Sequence, residues 1–233
     1  MERLSFASLT LSVMTSHKRL KLRQCTNCEC VINGVWEWVE ECARGAAAEE
    51  PAMRGILDDV CLSRNSLATS ISARLARKLS RRDMPRELIE PLIREALTED
   101  QNILSQIAQD LIAIVDRDPA CRTPLEPLLF YKGFHAITTY RISHWLWQHD
   151  RTIMALQFQS LASEVFAVDI HPAATIGCGI LLDHATSFVV GETAIIRDNV
   201  SILHEVTLGG TGKEEGDRHP ICLLYTSPSP RDM

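Results

Sequence analysis

The sequence predicts an α+β protein in which a helical N-terminal domain is followed by a left-handed parallel β-helix, built of hexapeptide repeats and incomplete at its C-terminus. Apolar residues recur at helical spacing through most of the chain and then every six residues from about residue 170. A period of six fits neither an α-helix, with 3.6 residues per turn, nor a flat strand, which alternates every second residue. Short strands joined by turns, three to each coil of a triangular prism, do fit it.

The six-residue period continues through seven positions, and this observation carries the β-helix prediction. We expect these side chains to point into the prism, and residues eighteen apart to stack on successive coils. A β-sandwich with glycine-marked turns is the alternative, but it would not hold one phase so long. Little more than two coils fit the register, and about three are the usual minimum for stability. The seven positions are Ile170, Ile176, Leu182, Phe188, Ala194, Val200 and Val206.

Residues 34–166 show the helical pattern. Leu67, Ile71, Leu75 and Leu79 predict one helix with a single buried face, and a second stripe does the same over residues 104–114. Proline punctuates the domain: Pro85 predicts a helix start, and Pro119 ends the second stripe, because the residue before proline avoids the α conformation. Two more helices are predicted over residues 134–147 and 151–165.

The first 33 residues carry five Lys or Arg against two acids, Glu2 and Glu29. This bias predicts either a transit-type leader, addressed to a plastid or mitochondrion, or a disordered extension of a cytoplasmic protein. The cluster Cys25, Cys28 and Cys30 lacks the fourth ligand of a structural zinc site, so no metal is predicted there. The other five cysteines are scattered, as reduced intracellular thiols usually are.

Charge and hydropathy exclude two classes of partner. The net charge is −6 and the isoelectric point is near 5.8, which argues against a nucleic-acid or anionic-membrane surface. No apolar run approaches the roughly 18 residues that a transmembrane helix needs. We therefore expect neither nucleic acid nor membrane as a partner.

Charged residues occupy places where solenoid packing does not need them. Asp169 opens the β-helix, the pair Asp183 and His184 follows, and Asp118 precedes Pro119 at the end of the second helical stripe. Asp169 and His184 are fifteen residues apart, within roughly one coil. A carboxylate near an imidazole can fix its tautomer and raise its basicity, which suits a general base. The alternative is that His184 caps a turn and Asp169 is merely solvated.

A glycine-rich stretch over residues 207–219 interrupts the hexads. Glycines such as Gly210 permit close approach of the backbone to a ligand. A phosphate-binding loop is disfavoured, because no strand, loop and helix follow one another here. A projecting loop that delivers Arg218 and His219 to a neighbouring surface fits better, and the Arg218 fork suits a carboxylate.

Several short segments, in one order between about Trp36 and Pro220, resemble the serine O-acetyltransferase family. The resemblance implies the same architecture and the transfer of acetyl from acetyl-CoA to L-serine, giving O-acetylserine for cysteine biosynthesis. The transfer would be direct, with acetyl-CoA as co-substrate and no bound cofactor. The segments are RDPA at 117–120, KGFH at 132–135, YRISHWLW at 140–147, VDIHPA at 168–173, LDHAT at 182–186, VGET at 190–193, VTLGGTGK at 206–213 and GDRHP at 216–220.

The resemblance also implies roles for individual residues. His184 would take the proton from the serine hydroxyl as that oxygen attacks the thioester, and Asp169 would orient the imidazole. The amino group of serine would lie against two carboxylates and its carboxylate against an arginine, within a pocket completed by a histidine and a glycine backbone. The residues implied for this substrate site are Asp118, Asp183, Arg218, His219 and Gly210.

The resemblance further implies a homotrimer, with the pocket between neighbouring subunits, and a dimer of trimers formed through the helical domain. O-acetylserine sulfhydrylase would be the partner of a C-terminal docking tail. Residues 221–233 depart from the family, since they form no hexad and carry two Ser-Pro steps. We read 167–220 as a partial β-helix and 221–233 as an aberrant tail without the docking peptide.

This departure leaves alternatives open. The chain is expected to keep its serine-site residues, to show little transferase activity and to associate through its C-terminal end. It would then be an inactive fragment that only oligomerises. A γ-type carbonic anhydrase is a remote alternative, because it too is a left-handed β-helix and needs three converging histidines. The candidates are His171, His184, His204 and His219.

Overall fold

A computed structural model describes residues 27–210 and the backbone of 221–222. Within this part of the chain, eight α-helices precede the first strand. A 3₁₀ turn at Pro51–Met53 and a π turn at Asp58–Leu62 flank the second helix. The helices are α1 (Cys28–Glu49), α2 (Arg54–Leu57), α3 (Leu67–Leu79), α4 (Arg86–Glu99), α5 (Gln101–Arg117), α6 (Leu125–Phe130), α7 (Lys132–Gln148) and α8 (Thr152–Phe166).

Local sequence explains where the helices begin and end, and the helical stripes are confirmed. The Ser66 hydroxyl accepts a hydrogen bond from the Thr69 amide at the start of α3, and Asp100 caps α5 in the same way. Helix α4 begins directly after Pro85, and α5 ends at Arg117, just before Asp118 and Pro119. Each apolar stripe is buried, but α3 has more than the single buried face that was predicted, because Ser70, Ser72 and Arg74 outside its stripe are buried as well.

Helix α7 is the centre of the molecule. Most of its residues are buried, including polar ones, because it packs against α8 and the other helices on one side and the first strands on the other. Thr138 and Thr139 satisfy their hydroxyls by donating to the carbonyls of Phe134 and His135. Their polar groups are therefore paired inside the helix rather than left unpartnered in the core.

Three short parallel sheets follow, and they form the faces of a triangular β-helix. One face stacks β1, β4 and β7, the second β2, β5 and β8, and the third β3 and β6. Every pairing is parallel. The strands are β1 (Val168–Ile170), β2 (Thr175–Ile176), β3 (Leu181–Leu182), β4 (Phe188–Val190), β5 (Ile195–Ile196), β6 (Ser201–Ile202), β7 (Thr207–Leu208) and β8 (Ile221–Cys222).

The predicted phase of the hexads is wrong beyond Leu182. The first coil pairs residues twenty apart, as Leu182 with Ile202, whereas the next pairs residues eighteen apart, as Val190 with Leu208. Two additional residues in the turn 183–187 account for the difference. Each hexad has two inward positions four residues apart, and beyond Leu182 the six-residue count falls on the second of them. The residues counted there are still enclosed: Phe188, Ala194 and Val200 are buried, and Val206 is half-buried. The first inward series is Ile170, Ile176, Leu182, Val190, Ile196, Ile202 and Leu208.

A buried ion pair joins the helices to the first coil. The guanidinium of Arg141 on α7 donates to both carboxylate oxygens of Asp110 on α5, at 2.9 and 3.0 Å. The same guanidinium donates to the carbonyl of Gly177, at 2.7 Å, and the Ile180 amide donates to Asp110, at 2.8 Å. Both side chains are almost fully buried. Two helices and one coil therefore share a single hydrogen-bonded cluster.

The ends of the described region differ from the predicted boundaries. Helix α1 begins at Cys28, inside the segment assigned to a leader or extension. The backbone of Ile221 and Cys222 forms β8, which pairs with β5, so a strand lies just past the predicted end of the β-helix at residue 220. None of the described helices is both long and apolar enough to cross a membrane.

Burial gives the stability a defined pH dependence. His135 is fully buried on α7, its Nε2 lies 2.8 Å from the Leu128 carbonyl, and burial lowers its pKa to about 3. The ordinary pKa of histidine is about 6.5. Between pH 6.5 and pH 3 the unfolded chain therefore binds a proton at this residue that the folded chain does not bind, so the free energy of unfolding falls as the pH falls. From pH 7 to pH 5 we expect this histidine to cost about 2 kcal/mol.

Urea unfolding of the wild type and of His135→Gln, at pH 7 and pH 5, measures this contribution. Glutamine keeps an amide donor for the Leu128 carbonyl but does not titrate. The wild type should lose about 2 kcal/mol more than the variant between the two pH values. Equal losses in the two proteins would contradict the assignment.

Candidate functional site

A cleft of about 430 Å³ opens where the helical domain meets the first coil. The end of α5, the start of α7 and strand β3 form its walls. Its lining brings together three of the residues singled out in the sequence, Asp118, Asp183 and His184. The remaining lining residues are Ile114, Ala120, Phe130, Tyr131, Lys132, Gly133, Phe134, Leu181 and Leu182.

Asp118 is placed by the end of α5. Its carboxylate accepts a hydrogen bond from the Ala120 amide at 2.8 Å, which forms a tight turn through Pro119. Arg117, the last residue of α5, fastens this end to the β-helix by donating to the Ser201 hydroxyl at 2.8 Å and to the Asn199 carbonyl at 3.0 Å. The Asp118 carboxylate is thereby held at the boundary between the two domains.

The turn after β3 places Asp183 and His184. His184, Ala185 and Ser187 all have positive φ, near 55°, 62° and 58°, which is unusual for residues with a side chain. The Asp183 amide is held by the Ile202 carbonyl at 2.8 Å, and the Ser187 amide by that of Ala167 at 2.9 Å. The two additional residues therefore form an ordered corner that projects the His184 ring outward, with 73% of its side chain exposed in this single chain.

The start of α7 holds this turn from the other side. Lys132 donates a hydrogen bond to the Thr186 hydroxyl. Gly133 lies so close to β3 that a Cβ atom there would meet the Leu182 carbonyl oxygen at 2.0 Å. Neither residue was assigned a role from the sequence, although both lie in the segment KGFH. A lysine and a glycine at the start of a helix do not by themselves indicate a contact with residues about 50 positions later in the chain.

The charged side chains of the cleft suit a ligand that carries a positive charge and a hydroxyl group. Asp118 and Asp183 supply two carboxylates, and the Asp183 carboxylate lies 3.6 Å from Nε2 of His184. Burial raises the pKa of Tyr131 further above its ordinary value, which already lies well above neutral pH, so this phenol adds no negative charge to the cleft. Two carboxylates facing one space attract an ammonium group, and the exposed imidazole beside them can exchange a proton.

The other predicted site residues are not gathered in the same cleft. The Asp169 carboxylate accepts a hydrogen bond from the Gln159 amide at 2.6 Å and does not contact His184 within this chain. The expected nearness of the pair is therefore not found in the single chain, because Asp169 lies in β1 and points its carboxylate toward α8. Gly210 is exposed after β7 and is not among the lining residues, and Arg218 and His219 lie outside the described residues.

No three-histidine metal site forms among residues 27–210. His184 and His204 are neighbours, with ring centroids 5.8 Å apart, but the His171 ring packs edge-on against Trp147 instead. The fourth candidate, His219, lies outside the described residues. This arrangement gives no support to the carbonic anhydrase alternative.

The helical domain, the β-helix and the acidic cleft at their boundary define an acyltransferase of the hexapeptide-repeat class, and comparisons with known proteins give the family. The model of the family described as "Serine acetyltransferase, N-terminal" matches residues 35–139. A serine acetyltransferase of Salmonella typhimurium is 47% identical over 186 residues, covering 80% of this chain and 68% of the relative. The chain belongs to the serine acetyltransferase family.

Further relatives agree. A probable serine acetyltransferase of rice is 49% identical, over 80% of this chain and 59% of its own length, so the chain spans less than two thirds of that plant relative. The structure of soybean serine acetyltransferase complexed with serine superposes with a TM-score of 0.78 at 49% identity, covering 80% of this chain and 77% of that one. The predicted fold, a helical domain followed by a left-handed parallel β-helix, is confirmed.

The close contact at Gly133 makes a sharp prediction. Gly133→Ala should push the start of α7 away from β3, because the atom it meets is a backbone carbonyl that cannot move aside. We expect a loss of about 1–3 kcal/mol in unfolding free energy, the usual cost of overpacking.

Gly45→Ala is the matched control, since a Cβ at this position of α1 meets nothing within 4 Å. That substitution should leave stability unchanged or raise it by up to about 1 kcal/mol. Thermal or urea unfolding of both variants measures the difference. A Gly133→Ala protein as stable as the wild type would show that the fit at β3 is loose.

Proposed function

We propose that this chain transfers an acetyl group from acetyl-CoA to the hydroxyl of L-serine. The observation that carries the proposal is the joining of Asp118, Asp183 and His184 in one cleft, since two carboxylates suit the ammonium group of an amino acid and the imidazole suits its hydroxyl. Family relatives support both substrates, because one structure is a complex with serine and another a complex with CoA.

The chemistry follows from His184 acting as a general base. Its neutral imidazole takes the proton of the serine hydroxyl while the oxygen attacks the thioester carbonyl carbon. The tetrahedral intermediate collapses by breaking the carbon–sulfur bond, and the departing thiolate takes the proton back from the imidazolium. Serine becomes O-acetylserine, coenzyme A leaves as the thiol, and the histidine returns to its neutral form. The enzyme carries no acetyl group at any stage.

The remaining roles are also part of the proposal. Asp118 and Asp183 bind the ammonium group, Arg218 binds the carboxylate bidentately, and His219 and the Gly210 backbone complete the pocket. The Asp169 carboxylate has one oxygen without a hydrogen-bond partner among the described residues, and this oxygen is available to orient an imidazole.

The site is proposed to be completed in a homotrimer, in which a neighbouring chain covers the His184 side chain. The 73% exposure of that side chain in the single chain supports this arrangement, since a base that works in a water-filled groove is poorly positioned. The pairing of two trimers, the docking of O-acetylserine sulfhydrylase and the compartment stay predictions. A mitochondrial relative in Arabidopsis thaliana shows that one family member is directed to an organelle.

Release of the coenzyme A thiol in the presence of acetyl-CoA and L-serine tests the proposal. Serine should accelerate release and L-alanine should not, because alanine offers the ammonium and carboxylate groups without the hydroxyl. Calorimetry with serine measures the acceptor site separately. Serine binding without transfer would support the inactive-fragment alternative, and neither binding nor transfer would contradict the proposal altogether.

His184→Ala should lower kcat by about 10²–10⁴-fold with serine saturating, the usual contribution of a positioned general base. Asp169→Ala should lose less, because it acts only through the imidazole. His149→Ala removes another imidazole, at the end of α7 and outside the cleft lining, and should leave kcat near the wild-type value. Near wild-type turnover in His184→Ala would contradict the assignment of the base.

A further inference from the structure

His204 lies one coil beyond His184 and faces it. Leu182 in β3 pairs with Ile202 in β6, so the residues that follow these strands by two are stacked on successive coils. The two imidazole centroids are 5.8 Å apart and the ring planes make an angle of 68°, so that the edge of one ring meets the face of the other.

Little else restrains the His184 ring. Its Nε2 lies 3.6 Å from the Asp183 carboxylate, longer than a hydrogen bond, and the ring nitrogens form no hydrogen bond within residues 27–210. Its backbone is fixed by the turn, but the ring can still rotate about its side-chain bonds. The His184 side chain is 73% exposed, and the His204 ring is the one aromatic ring among the described residues that pairs with this proposed base.

The surroundings of His204 suit a supporting role. Its Nδ1 is enclosed and has no hydrogen-bond partner among the described residues. An N–H group at this position would be shielded from water and would have no hydrogen-bond acceptor, which is energetically unfavourable. The tautomer with the hydrogen on Nε2 is therefore favoured. His204 therefore presents a flat aromatic ring beside His184.

We propose that His204 is a positioning residue that holds the His184 ring in the orientation in which its free nitrogen faces the acceptor hydroxyl. This inference rests on the proposed role of His184 as general base. A base that samples several ring orientations spends less of its time aligned with the proton that it removes, which lowers the rate of the chemical step. Serine binding, which depends on carboxylates and Arg218, should be affected little.

Three variants separate ring packing from hydrogen bonding. His204→Phe keeps a flat ring without nitrogen atoms, His204→Gln keeps a polar side chain without a ring, and His204→Ala keeps neither. We expect kcat to fall about tenfold in the Ala and Gln variants and to stay within about threefold of wild type in the Phe variant. The KM for serine should stay within about twofold in all three.

If kcat is restored in His204→Phe and the KM for serine is unchanged in all three variants, the loss of kcat in the Ala and Gln variants cannot be explained by a general loss of structure. Wild-type kcat in His204→Ala would overturn the inference, and so would a Phe variant as slow as the Ala variant. A parallel rise in the KM for serine would also overturn it, because the residue would then act on substrate binding.

Proton NMR of the His184 ring gives a readout that needs no turnover. A facing aromatic ring shifts the Cδ2 and Cε1 proton resonances, so the shift should persist in His204→Phe and disappear in His204→Ala. His184→Ala identifies the resonances. If the wild type shows this shift but transfers no acetyl group, the proposed function fails while the packing stands. If transfer occurs and His204→Ala leaves the resonances unchanged, the positioning role fails.

Discussion

The arrangement of the cleft depends on the ion pair between Asp110 and Arg141. Burial raises the pKa of Asp110, and the adjacent guanidinium and the Ile180 amide oppose that rise. Such a pair adds little net stability over apolar packing. Removing one partner, however, leaves a buried charge without its counter-charge and lowers the free energy of unfolding by about 3–5 kcal/mol. Its consequence is geometric: one cluster fixes α5, α7 and the first coil relative to each other, so the domains meet in one orientation.

That orientation brings two separately positioned groups to one cleft. Asp118 lies at the end of α5, eight residues after Asp110, and Asp183 and His184 lie in the corner that follows β3. The corner needs three residues with positive φ, and Lys132 and Gly133 of α7 pack directly against it. The cleft is therefore formed at the domain boundary, and neither domain forms it alone.

Much of this was predictable from the sequence, and the failures have two causes. Helical stripes, helix ends at proline and the β-helix period depend on neighbours in sequence, and all were predicted. The two-residue insertion after Leu182 was missed, because a six-residue count passes through it onto the second inward position, which is also apolar at Phe188. The contacts of Lys132, Gly133 and His204 with the corner were not predicted, because they join residues far apart in the chain and a hydrophobic period carries no information about such contacts.

Hydrogen exchange of Arg141→Met tests most directly whether the buried pair holds the site together. The account predicts that the Ile180 amide and those of the corner 183–187 exchange at least about tenfold faster, a drop of about 1.4 kcal/mol in opening free energy. Amides of α3 that exchange by local opening rather than by global unfolding should change much less, because α3 takes no part in the pair. Unchanged exchange at Ile180 and the corner, or equal acceleration of these locally opening α3 amides, would contradict the claim that this pair positions the cleft.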